Sequence, residues 1–291
     1  MLWVSFAESM NLKNLKLLPN SERWRSHLLS VPLGLVSRGL MTRDALLGVT
    51  RRIPKHESRE EFFFASGTRR LAGVLVAGDE GAPVILICHG IGETVGHWSG
   101  VQAWFRDHGV GTMVFNYSGY GASSGKIRSE HCDEDLVSAY AELRRRIGLS
   151  VPVFVLGFSL GSGIAASGVG RLEPPPAGLI LCEAFTSFQD AVRSAGFPHW
   201  LARELPDVWN TVTVVASARL PVCVVHSDGD KLFPLKMPRR IAKACGERGE
   251  LIVVEGLAHN EPYLKPMDAY WGSIVAWMAR QECPGETDGG R

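Results

Sequence analysis

No stretch of these 291 residues approaches the ~20 consecutive apolar positions of a membrane-spanning helix. No early segment shows the basic, apolar and cleavage-site succession of a secretory signal. The six cysteines include no Cys-x-x-Cys pair and no zinc-type spacing, which excludes a zinc ribbon or a dithiol redox motif. Three of them (Cys88, Cys182 and Cys223) sit inside apolar runs. Buried thiols acting as small hydrophobes suit a reducing compartment, so a cytoplasmic protein without metal or disulfide is expected. Net charge is nearly absent at +1, so the basic footprint of a nucleic-acid binder is missing and no such partner is expected. Internal repeats are missing too.

Nucleotide chemistry is excluded by what its motifs lack. Gly90-x-Gly92 has no third glycine at dinucleotide spacing, and the strand ending at Asn116 has no acid to grip a ribose. Gly125-Lys126 has Tyr120 where a phosphate loop needs its first glycine and Ile127 where magnesium needs Ser or Thr. No cofactor is expected.

What is present is uneven in charge and regular in pattern. Residues 1–55 hold nine Lys/Arg against Glu8, Glu22 and Asp44. Broken at Pro19, Pro32 and Pro54, they read as an arm of short helices. A basic leader with leucines can also lie on an anionic membrane, but the charges are scattered, and packing on the main domain is preferred. Residues 56–283 form that domain, and 284–291 are a polar tail. Within it an antiparallel hairpin turns at Ser66-Gly67-Thr68. Apolar runs at 84–88, 111–117, 151–157, 177–182, 221–225 and 251–255 then alternate with helical stretches near 100–108, 134–147, 160–170 and 262–280. Continuous apolar strands are buried on both faces, so the class is α/β with a parallel sheet covered by helices on each side. Residues 184–220 are the one substantial insertion, a small lid rich in aromatics, with Phe188, Phe197 and Trp200 as candidates to line a pocket.

Two segments match G-x-S-x-G, at Gly157–Gly161 and Gly121–Gly125. Only the first follows a strand directly and opens a helix with small residues, Gly161, Gly163, Ala165 and Ala166. A strand-to-helix turn is what lifts a nucleophilic serine out of a sheet. Ser159 is therefore the candidate, and Ser123 is read as a loop serine. A serine hydroxyl needs a base to take its proton and an acid to hold that base in the right tautomer. His259 follows the last strand. Asp228 and Asp230 both follow the strand before it, and Glu183 ends the strand before that. Negative charge on a carbonyl oxygen needs two fixed N–H groups, read here as the backbones of Leu160 and Ile91, with His89 bracing the glycine loop.

His89-Gly90, Asn116–Gly121, Gly157–Gly161, Asp230-Lys231-Leu232-Phe233-Pro234 and His259-Asn260 occur in that order. The set resembles the α/β-hydrolase superfamily, nearest its serine aminopeptidase-like and monoacylglycerol lipase-like esterase branch. The resemblance covers roughly residues 60–281. It implies an eight-stranded, mostly parallel sheet with strand two antiparallel, Asp230 as the acid ahead of Asp228, and hydrolysis through an acyl-enzyme. Here the oxyanion loop reads His-Gly-Ile-Gly, and the loop at Asn116 has Asn and Ser where relatives often carry Asp and Arg. The expected substrate is a small ester with an apolar acyl or alcohol group. A thioesterase, a small peptidase or a ligand-binding protein on the same fold are the competing expectations.

Overall fold

The computed structural model describes residues 33–34, 36–41 and 58–282. Most of the basic leader, the polar tail and Cys283 lie outside these residues. Eight strands form one sheet in the order β1-β2-β4-β3-β5-β6-β7-β8. β1 (Arg59–Ser66) and β2 (Arg69–Val76) are the expected hairpin, joined through Gly67 at φ 58°. β2 also runs antiparallel to β4 (Gly111–Phe115). All other pairings are parallel, linking β3 (Val84–Cys88), β5 (Val153–Phe158), β6 (Gly178–Cys182), β7 (Val222–Ser227) and β8 (Gly249–Val254).

Every residue of β3 through β7 is buried, which is why these strands read as apolar runs and not as alternation. Alternate side chains still go to opposite faces. Val153 and Val155 join one core, while Phe154, Leu156 and Phe158 join the other. The first face is covered by α2 (Ser129–Ile147) and α3 (Leu160–Val169). The second is covered by α1 (Ser99–Asp107) and the closing helix, which contributes Tyr270, Trp271, Ile274, Trp277 and Met278.

Between β6 and β7 the insertion folds into three short helices, α4 (Phe188–Ser194), α5 (His199–Glu204) and α6 (Thr211–Ser217). Ser187 and Asn210 start α4 and α6 by accepting the backbone N–H of Asp190 and Thr213. After α7 (Lys236–Cys245) and β8, the single helix expected over 262–280 is two: α8 (Glu261–Leu264) and α9 (Asp268–Glu282). Pro266 causes the break. It has no N–H to donate and drives Lys265 out of helical angles, to φ −135° and ψ 76°. No helix among the described residues is long and apolar enough to cross a membrane. The turns after β3, β5, β6, β7 and β8 all open at the carboxyl edge of the sheet, where parallel sheets gather functional groups.

Candidate active site

The residue between β5 and α3 is Ser159, at φ 52° and ψ −118°. A side chain at such an angle costs about 1–3 kcal/mol and persists only when its surroundings enforce it. They do so here through hydrogen bonds and close contact. Ser159 N–H donates to the Cys182 carbonyl at 3.0 Å, and Ser162 donates both N–H and hydroxyl to the Ser159 carbonyl. A Cβ at Gly157 would stand 2.3 Å from the Gly161 carbonyl oxygen, and one at Gly161 only 1.9 Å from that of Cys88. Glycine at both positions is thus a steric requirement of the turn.

Although Ser159 occupies the cap position of α3, its side chain makes no capping bond. Its hydroxyl meets His259 Nε2 at 2.9 Å instead. His259 Nδ1 lies 2.8 Å from Asp230 Oδ2. An ionised carboxylate only accepts, so Nδ1 carries the proton, Nε2 presents its lone pair, and the serine hydroxyl donates to it. The rings of Phe158 at 5.6 Å and Phe233 at 5.1 Å, tilted and perpendicular to the imidazole, pack against it as well.

Asp230 is nearly fully buried. Its Oδ1 accepts from the backbone N–H of Leu232 at 2.7 Å and of Phe233 at 3.0 Å. Burial alone would raise its pKa. The hydrogen bond and charge of His259, the Phe233 N–H and the side chain of Glu183 outweigh that and hold the carboxyl below the usual carboxylate range.

The rivals have other work. Asp228 Oδ1 accepts the Gly256 N–H at 2.7 Å and ties two loops together. Ser123 donates to the Asn116 carbonyl and accepts from Ala72 N–H, so it stitches its loop to β2. His226 Nε2–H donates to the Phe233 carbonyl at 2.8 Å. His89 is buried beside Tyr117, donates Nδ1–H to the Gly90 carbonyl, and has its pKa pushed down to about 3 by burial, so it stays neutral.

The glycine loop after β3 lies against the serine: a Cβ on Gly90 would come within 3.3 Å of Ser159 Cβ. Ile91 stands in that loop, half-buried on the first core face. Leu160 opens α3, where a backbone N–H has no intrahelical acceptor. Two residues missed in the sequence hold the loop. Buried Glu93 accepts the Gly90 N–H at 2.8 Å and the Trp98 indole N–H at 2.8 Å. From the leader, Leu40 packs on the Cα of Gly92, and Ser37 meets the Tyr120 hydroxyl at 2.7 Å. Periodicity and motif spacing signal neither role.

The lid aromatics divide. Phe188 is buried in the core between Phe185 and Trp209, Phe197 is half-buried, and Trp200 is 55 % exposed.

Residues 79–218 match the family described as serine aminopeptidase, S33. Over 186 residues the chain is 28% identical to an uncharacterized protein of Mycobacterium tuberculosis, covering 62% of this chain and 64% of that one. Over 178 residues it is 28% identical to lysophosphatidylserine lipase ABHD12 of Danio rerio, covering 55% of this chain and 46% of the relative. The chain therefore spans less than two thirds of the length of these relatives. Among solved structures, an α/β-hydrolase from Vibrio vulnificus superposes with a TM-score of 0.67 at 17% identity, over 89% of this chain and 95% of that one. The Pyrococcus furiosus esterase Pf2001 does so with a TM-score of 0.62 at 17% identity, over 79% and 97%. At such identities the likeness to solved structures is one of fold. With the ordered motifs, the sheet topology and the matches to sequence relatives taken together, this chain has the α/β-hydrolase fold and is similar over residues 79–218 to the serine aminopeptidase, S33 family.

Proposed function

We propose that the chain is a serine hydrolase that cleaves carboxylic esters through an acyl-enzyme. The reading rests on the hydrogen-bonded succession of Ser159 Oγ, His259 Nε2, His259 Nδ1 and Asp230 Oδ2, at 2.9 and 2.8 Å. Nothing in a folding argument requires a strained serine, a half-buried imidazole and a buried carboxylate to line up. Acyl transfer requires all three.

In this mechanism Ser159 Oγ attacks the ester carbonyl while His259 Nε2 takes the hydroxyl proton. Asp230 holds the tautomer that leaves Nε2 free and stabilises the imidazolium as it forms. The carbonyl oxygen gains negative charge and is met by the N–H groups of Leu160 and Ile91. The imidazolium then protonates the leaving alkoxide, and the C–O bond of the ester breaks. A water deprotonated by His259 attacks the acyl-serine, and the proton returns to Ser159 as the acid departs.

An apolar acyl or alcohol group suits the surroundings. The aromatic rings beside His259 and the aliphatic side chains of Ile91 and Leu160 offer contact to hydrocarbon. The relative from Danio rerio is a lysophosphatidylserine lipase, which favours an acyl ester as the substrate class. Phe188, Phe197 and Trp200 are proposed to border the acyl path from the lid side. A panel of p-nitrophenyl esters of graded chain length, with the matching thioesters, tests the proposal. Turnover should be highest on esters and lost in Ser159→Ala; no turnover by the wild type on any ester would overturn it.

A further inference from the structure

Directly behind the acid lies a second one. Glu183 directly follows β6 and is fully buried. One of its carboxyl oxygens, one of Asp230 and a ring nitrogen of His259 all lie within 4.8 Å of one another. Like Ser159, Glu183 holds a left-handed backbone angle, φ 45°. Such an angle is retained only where contacts enforce it.

The protons around this carboxyl can be placed one at a time. Oε1 accepts two hydrogen bonds, from Ser227 N–H at 2.9 Å and from the Tyr270 hydroxyl at 3.0 Å. Oε2 faces His226 Nδ1 at 3.5 Å, and among the described residues neither atom has a hydrogen-bond donor. His226 Nε2 has to carry a proton, because its partner is the carbonyl of Phe233. A neutral His226 therefore presents a lone pair at Nδ1. Oε2 thus faces that lone pair, and a carboxyl oxygen of Glu183 lies within 4.8 Å of one of Asp230, so acceptors surround the group on both sides. Two like charges cannot both persist at this range in a buried site, and one carboxyl keeps its proton. Asp230 already receives two backbone N–H bonds and the His259 N–H, all of which favour its charge. The proton falls to Glu183.

We infer that Glu183 is a positioning residue of the site, a neutral carboxylic acid whose hydroxyl is directed at Asp230 and fixes the charge and orientation of the carboxylate that holds His259. This rests on the triad reading given above. The other titratable groups facing Glu183 are His226 on β7 and Tyr270 on α9, with Cys182 preceding it on β6. Burial disfavours the charged form of each. The direction of the shift agrees: burial first, then the Asp230 carboxyl, raises the Glu183 pKa to about 9. Burial likewise lowers that of His226, so an ion pair between those two is disfavoured. Glu183 does not touch substrate. It acts through Asp230.

Glu183→Gln separates this from the alternatives. A glutamine supplies the same acceptor to Ser227 and Tyr270 and an N–H where the acid has its O–H, but cannot ionise. Glu183→Gln should keep kcat within about threefold of wild type, with the acidic limb of the kcat/KM profile unmoved. Glu183→Ala removes the donor; its kcat should fall about 10- to 100-fold with KM nearly constant, and the acidic limb should move to higher pH as Asp230 becomes more basic. At neutral pH the infrared difference spectrum of wild type minus Glu183→Gln should show the carbonyl stretch of a protonated carboxyl. A tenfold or larger loss in Glu183→Gln, or absence of that stretch, overturns the inference even if Glu183→Ala does not fold. The triad is judged separately, by fluorophosphonate labelling lost in Ser159→Ala. If labelling persists there, the parent reading fails. If labelling is lost there but Glu183→Ala folds with unchanged kcat and limb, only the role of Glu183 fails.

Discussion

The hydroxyl of Ser159 and Nε2 of His259 meet at 2.9 Å across 100 residues of chain. One belongs to a strained strand-to-helix turn, the other to the loop after the last strand, and only the sheet edge brings them together.

That relationship gives the first prediction. Ser159→Ala or His259→Ala should each lower kcat by about 10⁴–10⁶ while leaving the fold intact. Steady-state kinetics with circular dichroism checks both halves. Ser123→Ala should retain labelling and most activity, yet lose about 1–2 kcal/mol of stability, because its hydroxyl bridges Ala72 N–H and the Asn116 carbonyl.

The strain at Ser159 has a thermodynamic signature. Glycine adopts φ 52° without a side-chain penalty. Ser159→Gly should therefore abolish activity and raise stability by about 1 kcal/mol, read as an increased urea midpoint at unchanged m-value. A lower midpoint would show that the serine angle is not strained.

The two aspartates after β7 should separate cleanly. Asp230→Asn puts an amide where His259 needs an anionic acceptor, and should cost kcat about 10²–10⁴. Asp228→Asn keeps an oxygen for the Gly256 N–H and should cost less than about threefold. The reverse ranking in kcat would move the acid to Asp228.

Glu183 also predicts how stability depends on pH. Its folded pKa of about 9 exceeds its ordinary value of 4.5, so between them the folded state holds more protons than the unfolded one. Its contribution is complete below the ordinary value and is lost as pH rises through the folded one. Wild-type stability should thus decline across this window more steeply than that of Glu183→Gln, in urea melts at pH 5, 7 and 9. Parallel declines would contradict a buried neutral acid.

Gly161 tests the turn itself. With a Cβ 1.9 Å from the Cys88 carbonyl oxygen, Gly161→Ala should displace the glycine loop or prevent folding, at a cost of about 3 kcal/mol or more. A soluble, fully active variant would contradict the geometry.

Much of this was legible in the chain because it depends on local pattern. Apolar runs without alternation mark strands buried on both faces, and each such run identified in the sequence lies on a strand of the sheet, within a residue or two at its ends. The glycines around Ser159 were readable because close backbone approach leaves only one residue type. The break at Pro266 is not legible in the chain, since apolar periodicity continues across it while the backbone cannot. The aromatics of 184–220 looked alike in sequence, yet Phe188 went into the core and Trp200 to solvent.

By itself, the sequence determined the strand and helix succession, the turn that carries Ser159, and the order in which acid and base follow it. Folding in three dimensions decided which of Asp228, Asp230 and Glu183 reaches the imidazole, and that Glu93 and Leu40 brace the glycine loop. Local periodicity is a property of neighbours along the chain. Proton placement is a property of neighbours in space, and the burial that sets it exists only once the sheet has closed.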